Sequence, residues 1–219
     1  MTREGIVAFW LENHQRILDL TLQHIWLTMT ALAISVTLGV GLGILITRLP
    51  ALSGPVLAAA NTAQTVPSLA AVVLALPLMG IGFWPAVAAV TFKAVLPIVR
   101  NTYVGITGVD PGVREAAVGM GMTARQRLLR VELPLALPVI VAGIKTSTVI
   151  CVSIATLAAK IGAGGLGDLI FTGIALADSA TIVTGAVPTA LLAILGDRLL
   201  GALENRLTSP GIRSEVTAS

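Results

Sequence analysis

Few side chains in this sequence have the types and spacing to do chemistry, and they lie in apolar company. Gly162, Gly164 and Gly167, with Gly165 among them, spell a dinucleotide-binding turn. That turn needs a strand before it and a helix after it in a soluble βαβ unit. Here a long apolar run precedes it, so a nucleotide site is rejected, and the glycines are expected to shape an outer turn or a short re-entrant loop that closes a pathway. His14 and His24 have the wrong spacing for one helical face and no cysteine or carboxylate cluster joins them, so no metal site is assigned. Neither a nucleophile–base pair nor a phosphate-binding loop occurs, so no catalytic residue is assigned and ATP hydrolysis is not expected of this chain. Cys151 is the one cysteine and cannot form an intrachain disulfide. What remains is polarity inside oily runs. Asn61, Gln64, Thr65 and Ser68 recur at helical spacing around Pro67, which interrupts the backbone hydrogen bonding. Polar groups and freed carbonyls at membrane depth must face protein or water. Two readings stand: hydrogen bonds between helices, or the lining of a transport pathway. Thr146, Ser147, Thr148, Ser153 and Thr156 give a later run a similar, weaker character. Lys93 lies deep in another run, where an ammonium costs roughly 2.5–3.5 kcal/mol on insertion scales. It either snorkels to headgroups ~10 Å away or faces the pathway, where it would repel a cation more than a zwitterion. Lys145, nearer a span end, is read as snorkelling.

The elements that must hold these residues follow from composition. The chain is 55% hydrophobic and 11% charged, with mean hydropathy +0.92, against about 25% charged in soluble domains. An all-α polytopic membrane protein is the expected fold. A span needs ~20 mostly apolar residues, which places five transmembrane helices at 27–46, 55–79, 81–99, 139–159 and 180–200. Residues 6–20 are amphipathic and are expected to lie on the membrane surface. The expected organisation is thus an extracytoplasmic amphipathic segment over 1–24, a transmembrane domain over 25–205 and a frayed polar tail over 206–219. No cleavable signal, internal repeat or soluble domain is visible. Gly39 and Gly43 form a small-xxx-small face that lets helices approach closely. The pI of 9.6 reflects topology markers rather than nucleic-acid binding. With the central insertion cytoplasmic, Arg48, Arg100, Arg114, Arg125, Arg127, Arg130, Arg198, Arg206 and Arg213 fall inside, and Arg3, Arg16 and Lys160 outside. The positive-inside rule favours this sense, with the amino end outside and the carboxyl end cytoplasmic.

The insertion itself, within 108–138, reads as two short helices. Asp110-Pro111 is a capped start; Val113, Ala116, Ala117 and Met120 make a narrow apolar face; Gly119 and Gly121 end the helix. Thr123 and Gln126 form a capping box for a second helix carrying Arg125, Arg127 and Arg130, which Pro134 is expected to stop before Pro138 opens the next span. A plain linker needs only a few residues. The alternatives are a knob for a groove on a partner protein and a helix lying on lipid.

Glu115-Ala116-Ala117, three residues, Gly121, nine residues, then Val131-Glu132-Leu133-Pro134 resembles the EAA loop of bacterial ABC importer permeases. The resemblance implies that Glu115, Ala116, Ala117, Gly119, Met120 and Gly121 form a coupling surface for an ATPase subunit. NTAQTVPSLA, LPIVRNTYVGI and IGAGGLGDLI are similar to the permeases of osmoprotectant importers, which carry glycine betaine, carnitine, choline or proline betaine. Lys93 and Lys160 depart from that pattern, where uncharged residues are usual. The family implies a second permease subunit, identical or homologous, a dimer of ATPase subunits holding ATP and Mg, an extracytoplasmic substrate-binding protein and a bacterial inner-membrane location. It implies no cofactor on this chain. Asn61, Gln64, Thr65, Pro67, Ser68 and Lys93 are the expected pathway lining. Phe83, Trp84, Phe92 and Tyr103 are the few aromatics near the spans, too few for a cage around a quaternary ammonium, so high-affinity recognition is expected on the binding protein. Asp168 and Asp178 either contact that protein or are solvated loop charges. The rivals are an importer for methionine or another amino acid, and an ATP-independent transporter, whose inverted repeats or ion site are not seen.

Overall fold

The computed structural model describes residues 3–207, with side chains from 10 to 206; the expected tail beyond 207, with Arg213, and the side chain of Arg3 lie outside the described residues. The described chain is helical: α1 (Arg3–Arg48), α2 (Pro50–Thr65), α3 (Ser68–Met79), α4 (Phe83–Thr107), α5 (Pro111–Gly119), α6 (Ala124–Arg127), α7 (Leu133–Ala158), α8 (Gly167–Ala175) and α9 (Ser179–Leu207). A π turn, Leu128–Glu132, joins α6 to α7, and a 3₁₀ turn, Ala159–Ile161, follows α7. Four helical stretches are long and apolar enough to cross a membrane, with α2 and α3 together making a fifth bent by 101°. The five expected spans are therefore four straight ones and one broken at Val66-Pro67. Pro67 has no N–H for the ladder, and the residue before it is driven to extended backbone; Val66 sits at φ −62°, ψ 125°.

Two boundaries differ from expectation. The amphipathic segment is not a separate surface helix. It is the first part of α1, which runs unbroken for 46 residues, about 69 Å at 1.5 Å per residue. Part of its apolar surface is covered by protein: Ile17 and Leu20 are buried against Leu166 and Leu169, while Trp10, Leu11 and Leu18 are exposed. Nor does Pro134 stop a helix. The chain continues from Ala124 to Ile161 as one apolar stretch, with Pro134 in the first turn of α7, where a missing N–H is tolerated. The wider π turn just before it relieves the clash a prolyl ring makes with the preceding turn.

The core lies where α4 packs between α1 and α7. Leu27, Ala31, Val72, Val90, Ala94, Cys151, Ala155 and Ala158 are buried together there. Gly39 and Gly43 permit the close approach: a Cβ on Gly39 would lie 2.7 Å from Ile98 Cβ, and one on Gly43 closer still to Thr102 Cβ. On α7, Ser147 Oγ donates to the Ala94 carbonyl at 2.6 Å, so here a polar residue serves as a bond between helices. Lys145 pairs with Glu204 at 3.4 Å and Asp197 at 3.9 Å on α9, which replaces the snorkelling expected of it. The basic residues separate by end: Arg48, Arg114 and Arg127 meet at the α5 end of the bundle, Arg16 and Lys160 lie by α8 at the other.

Candidate functional site

The break between α2 and α3 builds the first part of the site. Two adjoining cavities of about 510 and 400 Å³ share Gln64 and Ile150 and run between α2, α4 and α7. Asn61, Gln64, Thr65, Pro67, Ser68 and Lys93, the six residues expected along a pathway, all line them, together with Arg100, Asn101, Thr146 and Ser153. Lys93 neither snorkels nor points freely into the cleft. It is 4% exposed, and its Nζ donates to the carbonyls of Val66 at 2.7 Å, Gln64 at 3.0 Å and Ala63 at 3.3 Å. These carbonyls lie at the end of α2, where the backbone dipoles favour a cation. Gln64 Nε2 answers by donating to the Lys93 carbonyl at 3.3 Å. The ammonium thus satisfies the backbone that Pro67 leaves open, and the 101° bend is held by side chain as well as by proline geometry.

The second part is the helical knob at the other end of α4. Asp110 caps α5, its carboxylate accepting from Val113 N at 3.1 Å, and Gly121 takes φ +76° beyond the helix end. The expected capping box is present, with Thr123 N donating to Gln126 Oε1 at 2.8 Å and Gln126 N to Thr123 Oγ1 at 3.3 Å. Asp110→Ala should cost about 1 kcal/mol of helix stability, visible as faster amide exchange over 113–116 with exchange in α4 unchanged. Glu115, Ala116, Gly119, Met120 and Gly121 are exposed, but Ala117 is 1% exposed. Ala117 therefore anchors α5 to its own chain and is not on the outward face expected of it; four residues on, at the next turn, Gly121 has already left the helix.

Behind α5 lies a cavity of about 680 Å³ with an ionic joint in its wall. Glu132, 3% exposed, faces three arginines from three elements. Oε2 takes Arg48 Nη2 at 2.8 Å, from the last turn of α1; Oε1 takes Arg127 Nε at 3.0 Å, from α6, and lies 3.9 Å from Arg114 Nε, on α5. Arg114 also donates to the Ile106 carbonyl at the end of α4. The carboxylate at the π turn so ties the knob to α1 and α7, and Arg114 ties it to α4. Sequence reasoning passes over Glu132 as a spacer before Leu-Pro. The available signal is that it is the only carboxylate between Glu115 and Asp168, beside four arginines.

A capped helical knob, a buried joint and a broken span between packed helices coincide with a family match. Residues 35–209 match the family described as binding-protein-dependent transport system inner membrane component. The chain belongs to this family. Among the permeases it resembles is the choline transport system permease protein OpuBB of Bacillus subtilis, 44% identical over 95% of this chain and 96% of that one. The carnitine transport permease protein OpuCB of Listeria monocytogenes is 43% identical over 96% of each. The osmoprotectant import permease protein OsmW of Salmonella typhimurium is 45% identical over 94% of this chain and 99% of that one. In fold it is similar to an inward-facing MetNI methionine ABC transporter chain (TM-score 0.73, 22% identity, 84% of this chain and 94% of that one) and to an amino acid ABC transporter (TM-score 0.74, 18% identity, 91% and 97%). It is a multi-pass membrane permease, as expected.

The glycine turn of this permease is a packing device. Gly162, Gly164 and Gly165 have φ of +73°, +73° and +86°, where a side chain would be strained. Gly165 N donates to Gln23 Oε1 at 3.2 Å, and a Cβ on Gly165 would meet His24 Nδ1 at 3.1 Å. Gly167 opens α8 against the α7 backbone. The turn is packed against α1. Lys160 lies 4.2 Å from the Phe171 ring centroid, a cation–π contact that accounts for its charge. Asp168 pairs with Arg16 at 3.5 Å, and Asp178 starts α9, its carboxyl held below the usual value by the Thr181 hydroxyl and then the Ala180 amide. Both acids have partners in the chain while staying accessible to solvent.

Proposed function

We propose that this permease is the membrane subunit of an ATP-driven importer that moves an osmoprotectant of the betaine, choline or carnitine type into the cell. The knob supports this most directly: Glu115, Ala116, Gly119, Met120 and Gly121 stand outward over a joint that reaches three spanning helices. ATP and Mg act on a partner ATPase dimer, whose cleft receives α5; a second permease, identical or homologous, lies alongside; an extracytoplasmic binding protein delivers cargo at the α8 end. The amino end is then outside and the α5 end cytoplasmic. A nucleotide can drive the cycle only by favouring one state of the bundle over the other. Closure of the ATPase dimer displaces α5, the Glu132 joint carries the displacement to α1, α4 and α7, and the cleft between α2, α4 and α7 changes its opening. The substrate class is supported by relatives named for choline, carnitine and osmoprotectants at 43–45% identity. The methionine and amino-acid reading rests on fold likeness at 18–24% identity.

The test is uptake of glycine betaine and choline into proteoliposomes holding the complete importer. Ala116→Arg places a long cation on the outward face of α5 without touching the core. It should cut ATP-driven uptake by about tenfold or more, as loss of a docking hot spot does, while the bundle still purifies folded. Undiminished uptake in that variant, or uptake without ATP, would overturn the reading.

A further inference from the structure

The geometry points to Lys93 and Arg100 as charges that set cargo specificity: the cleft between α2, α4 and α7 favours a quaternary amine that also carries a carboxylate over one that is only a cation. This rests on the osmoprotectant reading above. Lys93 and Arg100 are the only charged residues among those lining the two cavities, and the lining includes no carboxylate and no aromatic ring. They are seven residues apart on α4, hence on one face and about 10 Å apart along it. Neither is in an ion pair among the described residues. Lys93 Nζ is bonded by neutral carbonyls alone, whose dipoles favour the ammonium but supply no counter-charge. Arg100 is exposed, with five donors suited to a carboxylate. Asn61, Gln64, Asn101 and Thr146 supply neutral partners between them.

A bare cation moving along this cleft meets two like charges with no ring face or acid to offset them. A zwitterion presents its carboxylate to the open donors of Arg100 and to the field of the buried Lys93 charge, so its passage is favoured by the charges that oppose the cation. The cavity at the break and the one beside Arg100 adjoin through Gln64 and Ile150, so the two charges act in succession on one path.

The test uses the complete importer in proteoliposomes, with glycine betaine and choline each at saturating concentration for the binding protein, so that the ratio of maximal rates reports the membrane step. The wild type should move betaine faster. Lys93→Met should raise choline uptake relative to betaine by about tenfold. Arg100→Gln should shift it the same way by less, since Arg100 is open to solvent. If Lys93→Met loses all transport because the bend collapses, the ratio in Arg100→Gln decides the matter. A wild type that moves both at equal rates, an unchanged ratio in the transporting variants, or choline uptake that stays undetectable in them overturns the inference while leaving the osmoprotectant reading intact. A wild type that moves neither substrate overturns that reading and this inference with it.

Discussion

Glu132→Gln should be the most damaging single change at the α5 end. The carboxylate is buried and is shared by Arg48, Arg127 and Arg114. Glutamine keeps the shape but leaves three guanidiniums facing one another without a counter-charge. Removing one partner of a buried ionic set costs about 3–5 kcal/mol; the three guanidinium side chains are a quarter to a third exposed and can hydrate, so the lower end, about 3 kcal/mol, applies. Each kcal/mol moves the unfolding midpoint of a chain this size by about 2–4 °C, so a fall of about 6–12 °C in the thermal midpoint of the purified importer is expected. Arg48→Gln or Arg127→Gln should cost less, because two arginines still neutralise the acid. In the assembled importer the joint has a second readout. ATP hydrolysis should persist while betaine uptake per ATP falls, because α5 can still dock but no longer drags the spans. Equal midpoints for Glu132→Gln and Arg48→Gln would show that the carboxylate is not the centre of the joint.

Gly167→Ala should have the second largest effect, by a steric route. An added Cβ would overlap the Thr156 carbonyl oxygen and lie 2.8 Å from its carbon. Both are backbone atoms of α7, so no rotamer change relieves the clash and α8 must move off α7. Overpacking costs about 1–3 kcal/mol and occasionally more, and a backbone clash belongs at the upper end. Gly41→Ala is the control of opposite sign. Its Cβ meets nothing within 4 Å, and alanine is favoured over glycine inside a helix by roughly 0.5–1 kcal/mol. Thermal midpoints of the two variants in detergent should therefore move in opposite directions; parallel shifts would refute the packing argument.

Those contrasts mark what a sequence carries and what it does not. The caps at Asp110 and Thr123 and the helix end at Gly121 are legible because each depends on residues within one or two turns; the glycines at 39 and 43 are legible as a small-residue face by their spacing, though not the α4 residues they meet. The polar stripe from Asn61 to Ser68 is legible in part: the proline marks its break, but Ser68 lies on α3 beyond a 101° bend, so helical spacing alone does not put it on the face of Asn61, Gln64 and Thr65. The merger of residues 6–20 with the first span is not legible, since their amphipathic pattern fits a lipid surface as well as it fits α8, which lies far off in sequence. Pro134 misleads because a proline in the first turn of a helix and a proline that ends one look alike until the π turn before it is seen. Glu132 and Lys93 are the hardest. Arg48 comes to Glu132 from 84 positions away and the carbonyls around Lys93 from 27–30, and these bonds depend on where whole helices end.

The unbroken course of α1 has a mechanical consequence. One rigid rod touches the glycine turn through Gln23 and His24 and reaches the ionic joint through Arg48. Tilting a rod of about 69 Å by about 5° offsets its tips by about 6 Å, with no hinge along the way to absorb the swing. Thermodynamic reciprocity then requires that whatever load one extremity feels be reported at the other; under the proposed importer function, arrival of cargo at the α8 pole and nucleotide occupancy beneath α5 would be two hands on a single lever.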